Sequence, residues 1–271
     1  QTLSKLVDVQ AGNSGPMTLL TVISEDSHGF GRIIRDAQGS VCAIVEEAQA
    51  TQEQLAINEL NVGAYCFEAG WLWQALEKIT LSPKGEYYLT DLVEIAVNEG
   101  NKVAAVVVPD QSETLGINTR VHLAEAEAVL RRRILNDLML SGVTIINPES
   151  VYIEASVKIG QDTVIQPNTF IRGNTLIGSD CEIGPNSIIS DCQIGSRVRI
   201  LAAVLEKAVL EDDVDMGPFA RLRKGAHLGK HVHMGNFGEV KDSYLGEGTK
   251  MGHFSYIGNA TIGKDVNIGA G

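Results

Sequence analysis

The sequence predicts an α/β layer joined by one long helix to a parallel β-helix, a stack of short strands wound as coils. Three observations carry this reading. Strand-like apolar runs alternate with amphipathic segments up to residue 119, the stretch from Arg120 to Ser141 holds no glycine or proline, and aliphatic residues recur every six positions from Ile159 onward. The 271 residues, divided by the roughly 150 of a typical domain, come to just under two units. Residues 1–119 are assigned to the α/β layer, 120–141 to the linking helix and 142–271 to the β-helix.

In the first segment Met17–Ser24, Gly31–Asp36, Ser40–Glu47, Asn61–Phe67 and Lys102–Asp110 read as strands. Thr51–Leu60, Trp71–Ile79 and Leu89–Asn98 lie between them and carry apolar residues at three and four spacing, the helical period. High helix propensity extends through RVHLAEAEAVLRRRILNDLMLS, which forms the linking helix. Its Arg131–Arg133 run is a candidate phosphate site, but a charge run on a helix is more simply a solvated face.

The β-helix rests on Ile159, Ile165, Ile171, Ile177, Ile183 and Ile189, six apart without exception. Thr163, Thr169, Thr175, Cys181 and Ser187 follow the first five at the fourth position. After a one-residue slip the series resumes at Ile194 and Ile200, loosens through Val209–Val214, and returns at Leu228, Met234 and Val240. Further slips place Leu245, Met251 and Ile257, then Ile262 and Ile268. A period of six fits neither a helix nor a long alternating strand, so each hexad is a short strand plus a corner. Three hexads close a coil of about 18 residues, and the chain from Val151 supplies six to seven such coils with a continuous aliphatic interior. Glycines directly after the aliphatic position, among them Gly160, Gly178, Gly195 and Gly246, are expected to serve the corner dihedrals.

Composition narrows the function classes. A formal charge of −12 argues against nucleic acid or an anionic membrane as the main partner. No apolar run approaches a membrane span of roughly 18 residues or more, and no signal sequence is evident. The four cysteines lack CxxC spacing and read as reduced core residues of a cytoplasmic protein. The sequence starts at Gln1 without a methionine and stops inside a repeat, which is expected of a piece of a longer protein.

GFGRIIRD, IVEEAQATQEQLAINELNVGAYCF, GEYYLTDLVEIA and ETLGINTR precede the long helix, and GPFARLRKGAHLG, HMGNFGEVKDSYLG, GHFSYIGNATIG and DVNIGAG follow it. In this order they resemble the bifunctional N-acetylglucosamine-1-phosphate uridyltransferase/glucosamine-1-phosphate N-acetyltransferase family. The resemblance implies that residues 1–119 are the C-terminal part of an α/β nucleotidyltransferase-like (Rossmann-like) domain, and that the β-helix is left-handed. It further implies acetylation of glucosamine-1-phosphate by acetyl-CoA, then transfer of UMP from UTP to N-acetylglucosamine-1-phosphate with Mg2+, in a homotrimer built through the β-helix. The family's glycine-rich phosphate loop, uracil-recognition segment and metal-binding aspartate lie upstream of Gln1, and further coils and a tail of the acetyl-CoA pocket lie beyond Gly271. Both sites are therefore expected to be incomplete in this chain.

Residue by residue, the resemblance makes His253 the general base that takes the proton of the glucosamine amine, a task suited to imidazole near neutral pH. Arg223 and Lys241 match positions that hold the sugar phosphate, Tyr256 and Asn267 match sugar contacts, and Ala270 matches an acetyl-CoA contact. In the first domain Gly31, Glu46 and Asn61 match the sugar-nucleotide site, and Asn118 matches a ligand of magnesium and nucleotide phosphate. Read without the family, Asn118 is a helix-entry cap for the segment from Arg120. Departures are Val62 in the usual Asn-Thr-Gly, Lys224 at a usual proline, and Gly238 at a usual β-branched residue. The alternatives are another sugar-1-phosphate nucleotidyltransferase with a regulatory β-helix, a non-catalytic scaffold, and a zinc trimer resembling γ-class carbonic anhydrases. The last would use His227, His231, His233 and His253.

Overall fold

The computed structural model describes residues 2–27, 29–82 and 84–270. The chain divides into two compact units, residues 1–126 and 127–271.

Unit one is a five-stranded sheet with helices on both faces. Its elements are α1 (Thr2–Gly12), β1 (Met17–Ile23), β2 (Arg32–Arg35), β3 (Val41–Val45), α2 (Gln52–Leu55), β4 (Glu59–Phe67), α3 (Ala69–Leu76), α4 (Asp91–Asn98) and β5 (Val103–Val107). The strand order is β3-β2-β4-β1-β5, with β1 and β5 parallel and the other pairs antiparallel. β1 is buried from Met17 to Val22, as a central strand covered on both sides must be. On one face Leu6 of α1 packs with Leu20, Val106 and Val108. On the other, Ala75 of α3 and Leu92, Val93 and Ala96 of α4 pack with Met17, Leu19, Ile33 and Val41.

Two local expectations are corrected. Helix α1 was not anticipated. The helix expected over Thr51–Leu60 shrinks to Gln52–Leu55, closed by a capping box in which the Thr51 hydroxyl and the Gln54 side chain each bond the other's backbone. Glu59 and Leu60 instead begin β4, where Leu60 is 1% exposed and pairs with Val22. Burial in the sheet outweighs the weak helical preference of a short segment.

The long helix, α5 (Arg120–Leu140), matches the expected span to one residue, and the boundary between units falls inside it. It stops in a Schellman motif: Gly142 has φ +101°, its N–H bonds the Met139 carbonyl, and the Val143 N–H bonds that of Leu138. Leu135 is buried and caps the first coil of the β-helix. The Arg131–Arg133 run is only partly a solvated face. Arg131 stacks over the Tyr152 ring at 4.5 Å and, like Arg132, approaches Glu149.

Residues after α5 wind into a left-handed parallel β-solenoid of about seven turns. Its three faces are parallel sheets of seven, seven and eight strands. Ile153, Ile171, Ile189, Leu205, Leu222, Val240 and Ile257 stack on the first face, so coils run 16 to 18 residues and the sequence slips are coils shortened at a corner. The small residues do more than fill space. The Thr163 hydroxyl donates to the Gly178 carbonyl and accepts from the Cys181 N–H, tying one coil to the next.

The role expected of the glycines holds at Gly184, which follows Ile183 and has φ +98°, and is corrected at others. Many left-handed corner positions are held by Asp and Asn, including Asp162, Asn168, Asp180, Asn186, Asp191 and Asp213, and others by glycines such as Gly173 and Gly217. Short polar side chains tolerate this region. Gly160, Gly178, Gly195 and Gly246 have ordinary φ, but a Cβ on any of them would lie 2.6 Å from an atom of the next coil. Coil-to-coil approach, not torsion, demands glycine there. At Gly238, the departure from the family, a Cβ would meet only the mobile methyl ends of Met234 and Met251, at 3.0 Å.

Candidate functional site

On the solenoid, register brings the expected residues onto the last three coils. Arg221, Glu239 and Tyr256 align on the first face, and so do Leu222 and Val240, which sets Arg223 and Lys241 in equivalent places on consecutive coils. The Arg223 guanidinium reaches Glu239 Oε1 at 3.0 Å, and Lys241 Nζ lies 3.5 Å from Asp242. Such exposed pairs contribute little, roughly 0–1 kcal/mol, so a phosphate dianion competes for both cations at small cost. The Tyr256 phenol folds back over Gly258, where a Cβ would collide with it.

His253 stands at the edge where the third face turns into the first. Asn236 is its register partner on the coil before, and pairing of Lys250 with Asn267 and Met251 with Ile268 carries Ala270 to the corresponding place on the coil after. The imidazole is exposed, makes no hydrogen bond among the described residues, and meets the Phe254 ring edge-on at 6.0 Å. The sequence reading missed Glu239 as the partner of Arg223 and Phe254 as the neighbour of His253. Only the strand register could have shown the first, whereas Phe254 is adjacent to His253 in the sequence and was simply not singled out.

The described histidines do not form a metal cluster with one another. His227 on the second face bonds Glu211 at 2.9 Å, and His233 on the third bonds Asp215 at 2.9 Å. Among the described residues no group of three or more His, Cys, Asp or Glu could hold a metal ion.

In unit one, Gly31, Glu46 and Asn61 come together. The Gly31 carbonyl accepts from the Asn61 N–H at 2.8 Å, and a Cβ at Gly31 would lie 2.9 Å from Ile44 Cγ2 and 3.7 Å from Glu46 Oε2. Tyr65 and Thr90 complete this group and were not anticipated. Asn61 Nδ2 donates to the Tyr65 hydroxyl at 2.8 Å, its Oδ1 accepts from the Gly63 N–H, and the Thr90 hydroxyl donates to Glu46 at 3.0 Å. Burial pushes the Tyr65 phenol up; the Asn61 bond opposes this and the Glu46 charge adds to it. Thr90 lies in GEYYLTD, so that loop supplies a polar side chain beside the group.

Asn118 stands apart, with no side-chain hydrogen bond to Gly31, Glu46 or Asn61 among the described residues. Gly116 packs nearby on the Phe30 ring. The cap expected of Asn118 is supplied by the next residue, because the Thr119 hydroxyl accepts from the His122 N–H at 3.1 Å at the start of α5.

The reduced-core reading holds for Cys181 and Cys192, and in part for Cys66, which packs half-buried against the cluster around Leu6 and Leu20. All four are free thiols, Cys181 and Cys192 buried and Cys42 and Cys66 partly so. No helix among the described residues is long and apolar enough to cross a membrane.

A family model described as nucleotidyl transferase matches residues 1–114. Two curated relatives are the bifunctional protein GlmU of Enterococcus faecalis, 45% identical over all of this chain and 59% of its own length, and that of Geobacillus sp., 45% identical over 90% of this chain and 53% of its own. A solved UDP-N-acetylglucosamine acyltransferase of Francisella novicida is 19% identical with a TM-score of 0.30, covering 47% of this chain and 56% of that one. The chain spans a little over half the length of the curated relatives it matches. Over 90–100% of its length this chain is similar, at 45% identity, to the bifunctional GlmU proteins.

Proposed function

We propose that this chain serves the synthesis of UDP-N-acetylglucosamine, with the acetyl transfer performed on the solenoid and the sugar side of UMP transfer on unit one. The observation that carries the first part is the register of the last three coils, which sets Arg223 beside Lys241 and puts His253 near the same face. The two cations bind the phosphate of glucosamine-1-phosphate, and Tyr256 and Asn267 orient the sugar. The imidazole takes a proton from the amine as its nitrogen attacks the thioester carbonyl of acetyl-CoA, lying against Ala270. The C–N bond forms, the C–S bond breaks, and the proton passes to the departing coenzyme A thiolate. An imidazole nitrogen without a hydrogen bond is open for this exchange.

In unit one, Glu46 keeps one carboxylate oxygen for sugar hydroxyls while Thr90 holds the other. Asn61 spends its oxygen and one N–H on Gly63 and Tyr65, so it offers its second N–H and holds the strand against Gly31. Asn118 supplies one hard oxygen of the kind magnesium accepts. Among the described residues no group of three or more His, Cys, Asp or Glu could complete such a site, and no step is derived through the metal. The assembly is a homotrimer packed through the solenoid, which sedimentation would show directly.

The test is release of coenzyme A thiol from acetyl-CoA in the presence of glucosamine-1-phosphate, paired with calorimetric binding of the sugar phosphate. Release that requires both substrates and falls roughly 100-fold or more in His253→Ala supports the base role. Arg223→Ala should weaken sugar-phosphate binding. Undiminished turnover in His253→Ala, or unchanged binding in Arg223→Ala, would overturn the reading.

A further inference from the structure

Along the edge that carries His253, one left-handed corner per coil is occupied in turn by Asn168, Asn186, Ala202, Phe219, Phe237 and Phe254, with φ between 44° and 61°. The first two suit the torsion, and Asn168 donates to Asn186 across the coils at 3.2 Å. Phenylalanine does not suit it, because a bulky side chain in this region is strained without the local hydrogen bonds open to asparagine. Burial does not compensate either. Phe219, Phe237 and Phe254 are 63%, 49% and 60% exposed. Their rings form a ladder, stacked at 5.7 Å and then 5.0 Å. The ladder ends beside His253, whose ring stands at 87° to that of Phe254.

We propose that Phe254, braced by Phe237 and Phe219, is a positioning residue that holds the His253 side chain in one rotamer. No hydrogen bond orients this imidazole among the described residues, so its χ1 would otherwise spread over the staggered wells. An edge-to-face ring contact biases such a distribution roughly twofold to tenfold. The left-handed torsion at 254 turns the ring towards its neighbour, and the two rings behind it limit its retreat. The kinetic consequence rests on the base role proposed above for His253; the conformational one does not.

The experiment compares the whole chain with Phe254→Asn and Phe254→Tyr by NMR of the histidine rings, His253 being assigned through His253→Gln. Asparagine already occupies this corner at 168 and 186, so Phe254→Asn should fold with an unchanged or higher Tm. The expected result is a cross-ring NOE and a ring-current shift for His253 that vanish in Phe254→Asn and persist in Phe254→Tyr. In acetyl transfer, Phe254→Asn should lower kcat roughly twofold to tenfold with the KM for glucosamine-1-phosphate unchanged. Retention of the His253 shifts and NOEs of the original chain in Phe254→Asn would overturn the proposal. So would loss of assembly on sedimentation, which would make the ladder a contact between copies. Intact NMR signatures together with acetyl transfer undiminished in His253→Gln would refute the base role and leave the positioning role standing.

Discussion

Gly178 and Gly252 both follow an inward aliphatic residue of a hexad, yet alanine should act on them in opposite directions. At Gly178 a Cβ would lie 2.6 Å from the Gly195 carbonyl oxygen and from Ser196 Oγ, whereas at Gly252 nothing lies within 4 Å. Ordinary contact begins near 3.4 Å, so the coils around Gly178 would have to part by roughly 0.8 Å, and the offending Gly195 atom is backbone that no rotamer change can move. The same coils are tied by the Gly178 N–H to Ile194 carbonyl bond at 2.9 Å, which that displacement would stretch. Overpacking of this kind costs about 1–3 kcal/mol. At roughly 2–4 °C per kcal/mol, Gly178→Ala should lower the Tm of the solenoid transition by about 2–12 °C. Gly252→Ala, with ordinary φ and open space, should leave Tm unchanged or raise it by up to about 4 °C through the unfolded state. The assay is thermal unfolding followed by circular dichroism, with the two units' transitions fitted separately. Equal shifts, or a larger loss in Gly252→Ala, would refute the argument that coil spacing selects these glycines.

Other changes test other parts of the molecule. Ile171→Ala removes a fully buried member of the aliphatic column and should cost about 2–5 kcal/mol in urea unfolding, with a loss below roughly 1 kcal/mol counting against a continuous packed interior. Thr163→Val keeps the shape but strands the Gly178 carbonyl and the Cys181 N–H; a loss of about 1–3 kcal/mol is expected, and Thr163→Ser should retain most of the stability. Arg35 grips Glu59 through two hydrogen bonds of 2.7 and 2.6 Å and holds its carboxyl below the usual range, against partial burial that acts the other way. The stability this lends unit one is therefore present above the ordinary value of 4.5 and lost as pH falls through the depressed one. Glu59→Gln should flatten that acid slope, and an unchanged slope would contradict the assignment.

Much of this was legible in the sequence because it repeats. A residue that must point into a narrow prism every coil leaves a period no other structure shares, so Ile159 to Ile189 announced the solenoid, and an unbroken run of helix formers announced α5. The resemblance singled out His253, Arg223 and Lys241, whose roles are those proposed above. What the sequence left open depends on which residues meet across coils or strands. Leu60 had to be seen pairing with Val22 before Glu59–Phe67 became one strand. Helix α1 is fixed by Leu6 against Leu20, a contact between distant positions. Tyr65 and Thr90 joined Gly31, Glu46 and Asn61 only in three dimensions. The hexad glycines looked alike, and only coil spacing separated Gly178 from Gly252. Periodicity reports what each residue does along its own chain direction. Register and close packing are set by partners far away in sequence, and those only the folded structure supplies.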